Sequence, residues 1–169
     1  MHKLGEGESH LEKLPTKTIS INRKARHEYF VEESFEAGIE LFGTEVKSLR
    51  AGSCNLKDSW CDIKDGELWI KQMHIAPYEH GNIFNRDAYR ERRLLMHKRQ
   101  IMKLMGQTAQ QGYTLIPLSI YFKGSRVKVQ LGLCKGKQLH DKRADMAKRD
   151  AKRDIERALR DRQRGSFLL

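Results

Sequence analysis

Ile116-Pro117-Leu118-Ser119-Ile120-Tyr121-Phe122, then Lys123-Gly124-Ser125, then Arg126-Val127-Lys128-Val129-Gln130-Leu131-Gly132-Leu133, reads as two strands joined by a tight turn. Alternation places Ile116, Leu118, Ile120 and Phe122 on one face of the first strand. Val127, Val129, Leu131 and Leu133 share a face of the second, because successive strand side chains point to opposite sides. The opposite side of the return strand reads Arg126, Lys128, Gln130. One side of this ribbon packs inward and the other offers cations and an amide.

Working outward, the same signal recurs earlier. Cys61 and Ile63 alternate with Trp60, Asp62 and Lys64; Leu68 and Ile70 alternate with Glu67, Trp69 and Lys71; Asp65-Gly66 turns between them. An Asp-Gly pair between alternating runs is a strong hairpin signal. Tyr29, Phe30, Val31 and Phe35 lead to a break at Gly38 and on to Ile39, Leu41 and Phe42, and Met73 to Ile75 forms a further short strand. Thr44 caps a short helix with Val46 and Leu49 on its inner face and Gly52 closing it. Tyr78 to Arg93 reads as a long polar loop with room for one turn of helix. A helix is expected over Leu94 to Gln111, with Leu94, Leu95, Ile101, Leu104 and Met105 on one face and Gly112 as its cap. About six short strands with small helices between them predict a mainly β protein. Its expected form is an OB-like closed antiparallel barrel, which removes exposed edges and leaves a face for oligonucleotides. A small sandwich would leave the same trace.

The chain of 169 residues is 38% hydrophobic and 33% charged, with a net charge of +11. That excess implies a polyanionic partner. Between Lys135 and Arg164 stand 12 lysines and arginines against 6 acids, so more than half of the excess lies in that short segment. Three regions follow: a polar, disordered leader over 1–18, the barrel over 19–134, and a basic tail over 135–169. The tail carries a near-repeat, Ala147–Asp150 and Ala151–Asp154, on a thin stripe of Ala144, Ala147, Ala151, Ile155, Ala158 and Leu159. Charge pairs of a few tenths of a kcal/mol cannot hold such a helix unaided, so it is expected to be frayed when free and ordered on a partner. The tail lacks the Trp, Phe and Leu face of a membrane-surface helix, and Phe167-Leu168-Leu169 is too short to supply one. Cys54, Cys61 and Cys134 are odd in number and without metal spacing, as in reduced, partly buried thiols. With no secretory h-region and no apolar run near 18 residues, the chain reads as cytoplasmic.

Several residues invite a role. Asn22-Arg23-Lys24-Ala25-Arg26-His27 is either a solvated segment before a strand or an RNA contact, with Arg and Lys on phosphates and His27 against a base. Glu36 reads as a surface acid, or else as an acceptor for a base or a holder of a basic neighbour; Leu95 reads as core, or, if exposed, as packing on an unstacked base; Lys128 is an outward cation suited to a phosphate. Trp60 and Trp69 either stack bases or lie beneath the helix expected near Leu94. His140-Asp141 has the form of a catalytic dyad, and His74 or His80 of a metal ligand. No nucleophile motif, paired carboxylates or His-x-x-x-His spacing accompanies them. No enzyme, metal or cofactor is expected.

Taken together, several motifs resemble the SmpB (SsrA-binding protein) family. They are Asn22 to Phe30, Phe35-Glu36-Ala37-Gly38, Gly43 to Gly52, Arg93-Leu94-Leu95, Gly132 to Lys137 and His140-Asp141-Lys142-Arg143, in one order from about Ile19 to about Leu159. The resemblance implies an OB-like barrel that binds the tRNA-like part of transfer-messenger RNA. It also implies a tail that enters the empty mRNA channel of a stalled ribosome. By position, Asn22, His27, Glu36, Leu95 and Lys128, flanked by Arg23, Lys24 and Arg26, fall where the family contacts that RNA. Lys135, Lys137, His140, Asp141, Lys142 and Arg143 fall on its ribosome-facing segment, with Lys148, Arg149, Lys152 and Arg153 laid along channel phosphates. Small-subunit RNA would be the second partner, and one copy would bind one RNA. Gln138 and Trp60 depart from the commoner Lys and Tyr of the family.

Overall fold

The computed structural model describes residues 14–110 and 112–165. Most of the expected leader, and Phe167-Leu168-Leu169, lie outside the described residues. The chain enters through β1 (Thr16–Ile21) and α1 (Arg23–Glu28), then β2 (Tyr29–Ile39) and α2 (Gly43–Arg50). Next come β3 (Cys54–Asn55), β4 (Trp60–Lys64), β5 (Glu67–Lys71), β6 (His74–Ile75) and a 3-10 turn at Asn82–Phe84. β7 (Arg92–Leu95), α3 (Lys98–Thr108), β8 (Tyr113–Lys123), β9 (Arg126–Gly136) and α4 (Leu139–Gly165) complete it.

Six antiparallel strands close a ring in the order β8-β4-β5-β7-β2-β9, with β9 pairing back to β8; β1 lies along β8, and β3 pairs with β6 apart from the ring. The antiparallel closure bears out the expected mainly β fold. Both hairpins sit in the registers that alternation predicts: Cys61 opposite Ile70, and Tyr121 opposite Lys128. Asp65 and Gly66 both have positive φ, 52° and 73°, as a two-residue turn that matches strand twist requires.

Inside the ring lie Leu68, Ile70, Leu94, Leu104, Leu115, Ile120, Val129 and Leu131, all buried. Here β8 departs from simple alternation. Its pairing with β9 shifts between Pro117 and Ser119, where proline offers no N–H to the ladder. The bulge turns Ile116 and Leu118 to the outer side, where they and Cys134 meet Ala25 of α1 in a second small core. The expectation that Ile116 and Leu118 share a face with Ile120 and Phe122 is therefore corrected.

Three other expectations change. Leu94 and Leu95 are strand, not helix: β7 pairs with β5 and β2, Leu94 points in and Leu95 out, and helix α3 starts only at Lys98. Sheet closure outweighs the local helical spacing. The helix of Gly43–Arg50 is capped by Glu45, whose carboxylate accepts the Phe42 N–H at 3.0 Å, rather than by Thr44. β1 begins at Thr16, inside the segment assigned to the leader, because its residues pair with Tyr121 to Lys123.

One polar cluster ties the ring to its loops. Arg92, fully buried, donates from Nε to Glu45 Oε2 at 2.5 Å and from Nη1 to the Met73 carbonyl at 2.8 Å. Arg90 also donates to both Glu45 oxygens. Burial pushes the Glu45 carboxyl up, but hydrogen bonds from Arg90, the Phe42 amide and Arg92 together outweigh it and hold the group below its usual value. Burial also pushes the Cys54 and Cys134 thiols up to about 11, so both stay protonated near neutrality.

Candidate RNA interface

The outer side of the ring carries one cross-strand row, Tyr121–Lys128–Gly38–Leu95, running over β8, β9, β2 and β7. Ser119, Gln130 and Glu36 form the next row. Leu95 is 47% exposed there, so it is a surface residue and not core. A Cβ on Gly38 would meet Leu95 Cβ at 3.3 Å, so glycine lets the row pass shallowly between Lys128 and Leu95.

Glu36 does not stand alone on this surface. It accepts from the Tyr121 hydroxyl and from Lys123 Nζ at 3.1 Å. The Tyr121 hydrogen bond, aided by Lys123 and Lys128, holds its carboxyl below the usual value, while burial and Glu36 push the Tyr121 hydroxyl up. The acid thus fixes a lysine and a ring beside Lys128 on this outer face. Tyr121 and Lys123 were missed in the sequence. The outward register of the β8–β9 hairpin pointed to both.

The Asn22 to His27 segment is a helix. Asn22 is buried; its side chain accepts the Ala25 N–H at 3.2 Å and donates to the Pro117 carbonyl at 3.0 Å. It caps α1 and seats it on the β8 bulge. Arg23, Lys24 and Arg26 are exposed and His27 is half-buried. Lys24 Nζ is held 3.3 Å from Asp58. Because α1 packs at Cys134 while Lys128 sits six residues back along β9, the two clusters lie about 20 Å apart on the same outer side.

Trp60 is 39% exposed, with Lys71 Nζ 5.0 Å over its ring; Trp69 is half-buried. Both face outward in the β4–β5 register, opposite Lys71 and Asp62 respectively. Neither belongs to the ring's inner core.

The tail residues divide. Lys135 is exposed, its Nζ 5.8 Å over the Tyr113 ring. Lys137 is an anchor: its side chain is 4% exposed, pairs with Asp145, donates to the Arg26 carbonyl at 3.1 Å and lies 4.9 Å over Phe30. That contact holds the Asp145 carboxyl below its usual value. Asp141 accepts the Gln138 N–H at 3.3 Å, closing the first turn of α4. The His140 side chain is 82% exposed, 3.3 Å from Asp141. Lys142 is half-buried, and Arg143, Lys148, Arg149, Lys152 and Arg153 are exposed. Arg149 reaches back to the Arg26 carbonyl at 3.4 Å. Among the described residues no group of three His, Cys, Asp or Glu is placed to hold a metal ion. No helix among them is long and apolar enough to cross a membrane.

Known proteins resemble the chain over most of its length. The SmpB protein family model matches residues 19–161. An SsrA-binding protein of Clostridium tetani is 62% identical over 148 residues, 88% of this chain and 95% of that one. One from Desulforudis audaxviator is 60% identical over 146 residues, covering 86% and 95%. A solved chain described as "tmRNA-SmpB: a journey to the center of the bacterial ribosome" superposes with a TM-score of 0.61 at 47% identity. It covers 73% of this chain and 91% of its own. With the family model spanning the ring and most of α4, the chain belongs to the SmpB protein family.

Proposed function

We propose that this chain is an RNA-binding adaptor of trans-translation. It binds the tRNA-like domain of transfer-messenger RNA, brings it to stalled ribosomes in the cytoplasm, and performs no reaction itself. One copy binds one RNA, without metal or cofactor. The observation that carries this reading is the outer row of Leu95, Gly38 and Lys128 beside the Glu36–Tyr121–Lys123 cluster. It joins apolar, cationic and hydrogen-bonding groups on one strand surface, which suits unstacked bases and phosphates together.

Exposed Arg23, Lys24 and Arg26 add phosphate contacts, and His27 a base contact. Asn22 contributes by holding α1 in place. The tail enters the vacant decoding site and mRNA channel in place of a codon–anticodon pair. There His140 stacks on a ribosomal base, and Lys142, Arg143, Lys148, Arg149, Lys152 and Arg153 follow phosphates. Lys137 and Asp141 serve this role indirectly, by fixing where the helix starts. Beyond Arg149 the described part of α4 is exposed on every side, so it is frayed when free and ordered on the ribosome.

The test compares the full chain with one ended after Lys137, which keeps all of β9 and the cover over Phe30. Both should bind the tRNA-like RNA with similar affinity, and only the full chain should support peptide tagging on ribosomes stalled at an mRNA end. Equal binding of both to arbitrary RNA, with no tagging by either, would sink the proposal.

A further inference from the structure

Past the end of the outer row the surface does not stop. Arg93 pairs with Glu40 at 3.0 Å, and Glu40 leads through Leu41 to Phe42. There a cleft of about 330 Å³ opens between α2 and the loop of residues 76–91, lined by Phe42, Lys47, Tyr78, His80, Phe84 and Arg86 among others. Aromatic rings and cations interleave closely in it. Arg86 lies 4.1 Å over the Phe42 ring, Lys47 Nζ 5.4 Å over Tyr78, and His80 meets Tyr78 edge-on at 5.5 Å. Phe84 is 70% exposed.

With its neighbour Ile83, 88% exposed, Phe84 puts contiguous apolar surface beside a cation-lined cleft. The loop that presents it is nonetheless fixed. Asn85 accepts the Tyr78 N–H at 3.0 Å and donates to the Tyr78 carbonyl at 2.9 Å. A Cβ on Gly81 would come within 2.4 Å of Asn85 Oδ1, so the clamp closes only over glycine. Arg90 and Arg92 bolt the loop's end to Glu45 of α2. A rigid loop that displays rings and cations together is built to receive a flat, anionic ligand.

We infer that this cleft binds one unstacked nucleobase of the bound RNA, stacked against Phe84 and Tyr78, with its flanking phosphates on Lys47 and Arg86. The inference rests on the RNA-binding reading of the outer row, and extends that row past the C-terminal end of β2. It gives Phe84 and Arg86 a role in binding, where the buried Glu45–Arg90–Arg92 cluster only positions the loop.

The test measures binding of the tRNA-like RNA to the full chain, to Phe84→Ala, to Arg86→Ala and to Lys128→Ala, with thermal melts to verify folding. Ultraviolet crosslinking of the wild-type complex, read by mass spectrometry, supplies a second observable. The cleft variants should bind about tenfold more weakly with unchanged melting, as loss of one stacked base implies, and crosslinks should map to Tyr78 or Phe84. If Lys128→Ala weakens binding while both cleft variants bind normally and neither ring crosslinks, the cleft is overturned and the outer row stands. If no variant changes affinity, the outer-row reading fails and the cleft falls with it.

Discussion

The ring and the tail helix are made from the same charged residues, yet their charges do different things. In the ring an arginine is buried and fully committed: Arg92 reaches Glu45 and the carbonyls of Met73, Ala88 and Arg90. In the distal tail Arg153 and Arg157 stand 4.0 Å from Asp150 and Asp154, all of them mostly exposed. Exposed helix pairs of that kind contribute about 0.3–0.5 kcal/mol each. The ring's charges specify its own shape, whereas the tail's are left available for another molecule. Between the two sits Lys137, a tail residue that behaves like a ring residue.

The sharpest way to break this contrast is at Arg92. Arg92→Met leaves Glu45 buried with one guanidinium partner fewer, and removing one member of a buried ion cluster costs about 3–5 kcal/mol. Urea unfolding should show that loss, and Arg153→Met should show none. Equal effects would mean that the ring's charges are no more committed than the tail's. Acid probes the same cluster without mutation. Because the Glu45 carboxyl is held below its ordinary value of 4.5, its contribution is complete above that pH and disappears as pH falls through the lower folded-state value. In Glu45→Gln the acid limb of the stability profile should flatten.

Asn22 tests where the ring ends and the RNA surface begins. Its amide is spent on the Ala25 N–H and the Pro117 carbonyl. Asn22→Ala should therefore destabilise the protein by about 1–2 kcal/mol, the cost of a lost cap. RNA affinity should fall only as α1 loosens. A full-strength fold with RNA binding lost would make Asn22 a direct contact instead.

These cases show what was legible beforehand. Both hairpins, their turns and the outward register of Lys128 followed from alternation and an Asp-Gly pair, since strand period and turn chemistry are local. The family motifs singled out Leu95 and Glu36, and the structure sets both on the outer side of the ring. Three things were hidden because they are non-local. The switch of Ile116 and Leu118 to the outer side depends on how Pro117 meets β9. The strand character of Arg92–Leu95 depends on β5 and β2 standing ready to pair with it. The use of Lys137 as an anchor depends on Phe30 and Asp145 arriving from different elements. Helical spacing of apolar residues and a run of lysines were true observations in both latter places, and tertiary partners outweighed them.

Lys128 separates electrostatic from structural work on the face itself. It is half-buried on β9 and forms no ion pair of its own in the Glu36–Tyr121–Lys123 cluster. Lys128→Ala should leave stability nearly unchanged. It should also reduce the salt slope of RNA binding by about 1, as expected for one lost phosphate contact. A large fall in stability would place Lys128 with Arg92 as part of the ring's own architecture.

The smallest expected effect lies at the joint. Asp145→Ala removes the acid that holds Lys137 but leaves the Arg26 carbonyl and the Phe30 ring in place. Ring stability should be nearly unchanged, as for partly exposed pairs generally. Amide exchange should quicken across the first turns of α4, where Asp145 pairs with Lys137 and Arg149 reaches Arg26, while β8 and β9 keep their protection. Acidification should reproduce the loosening in the wild type as Asp145 becomes protonated, because its carboxyl is held below the ordinary value of 3.8 by Lys137. If exchange instead quickens equally over the whole helix from Leu139 to Gly165, α4 folds as one unit that nucleates at Lys137. The contrast between a specified ring and an unspecified tail would then have to be drawn at Lys137 itself.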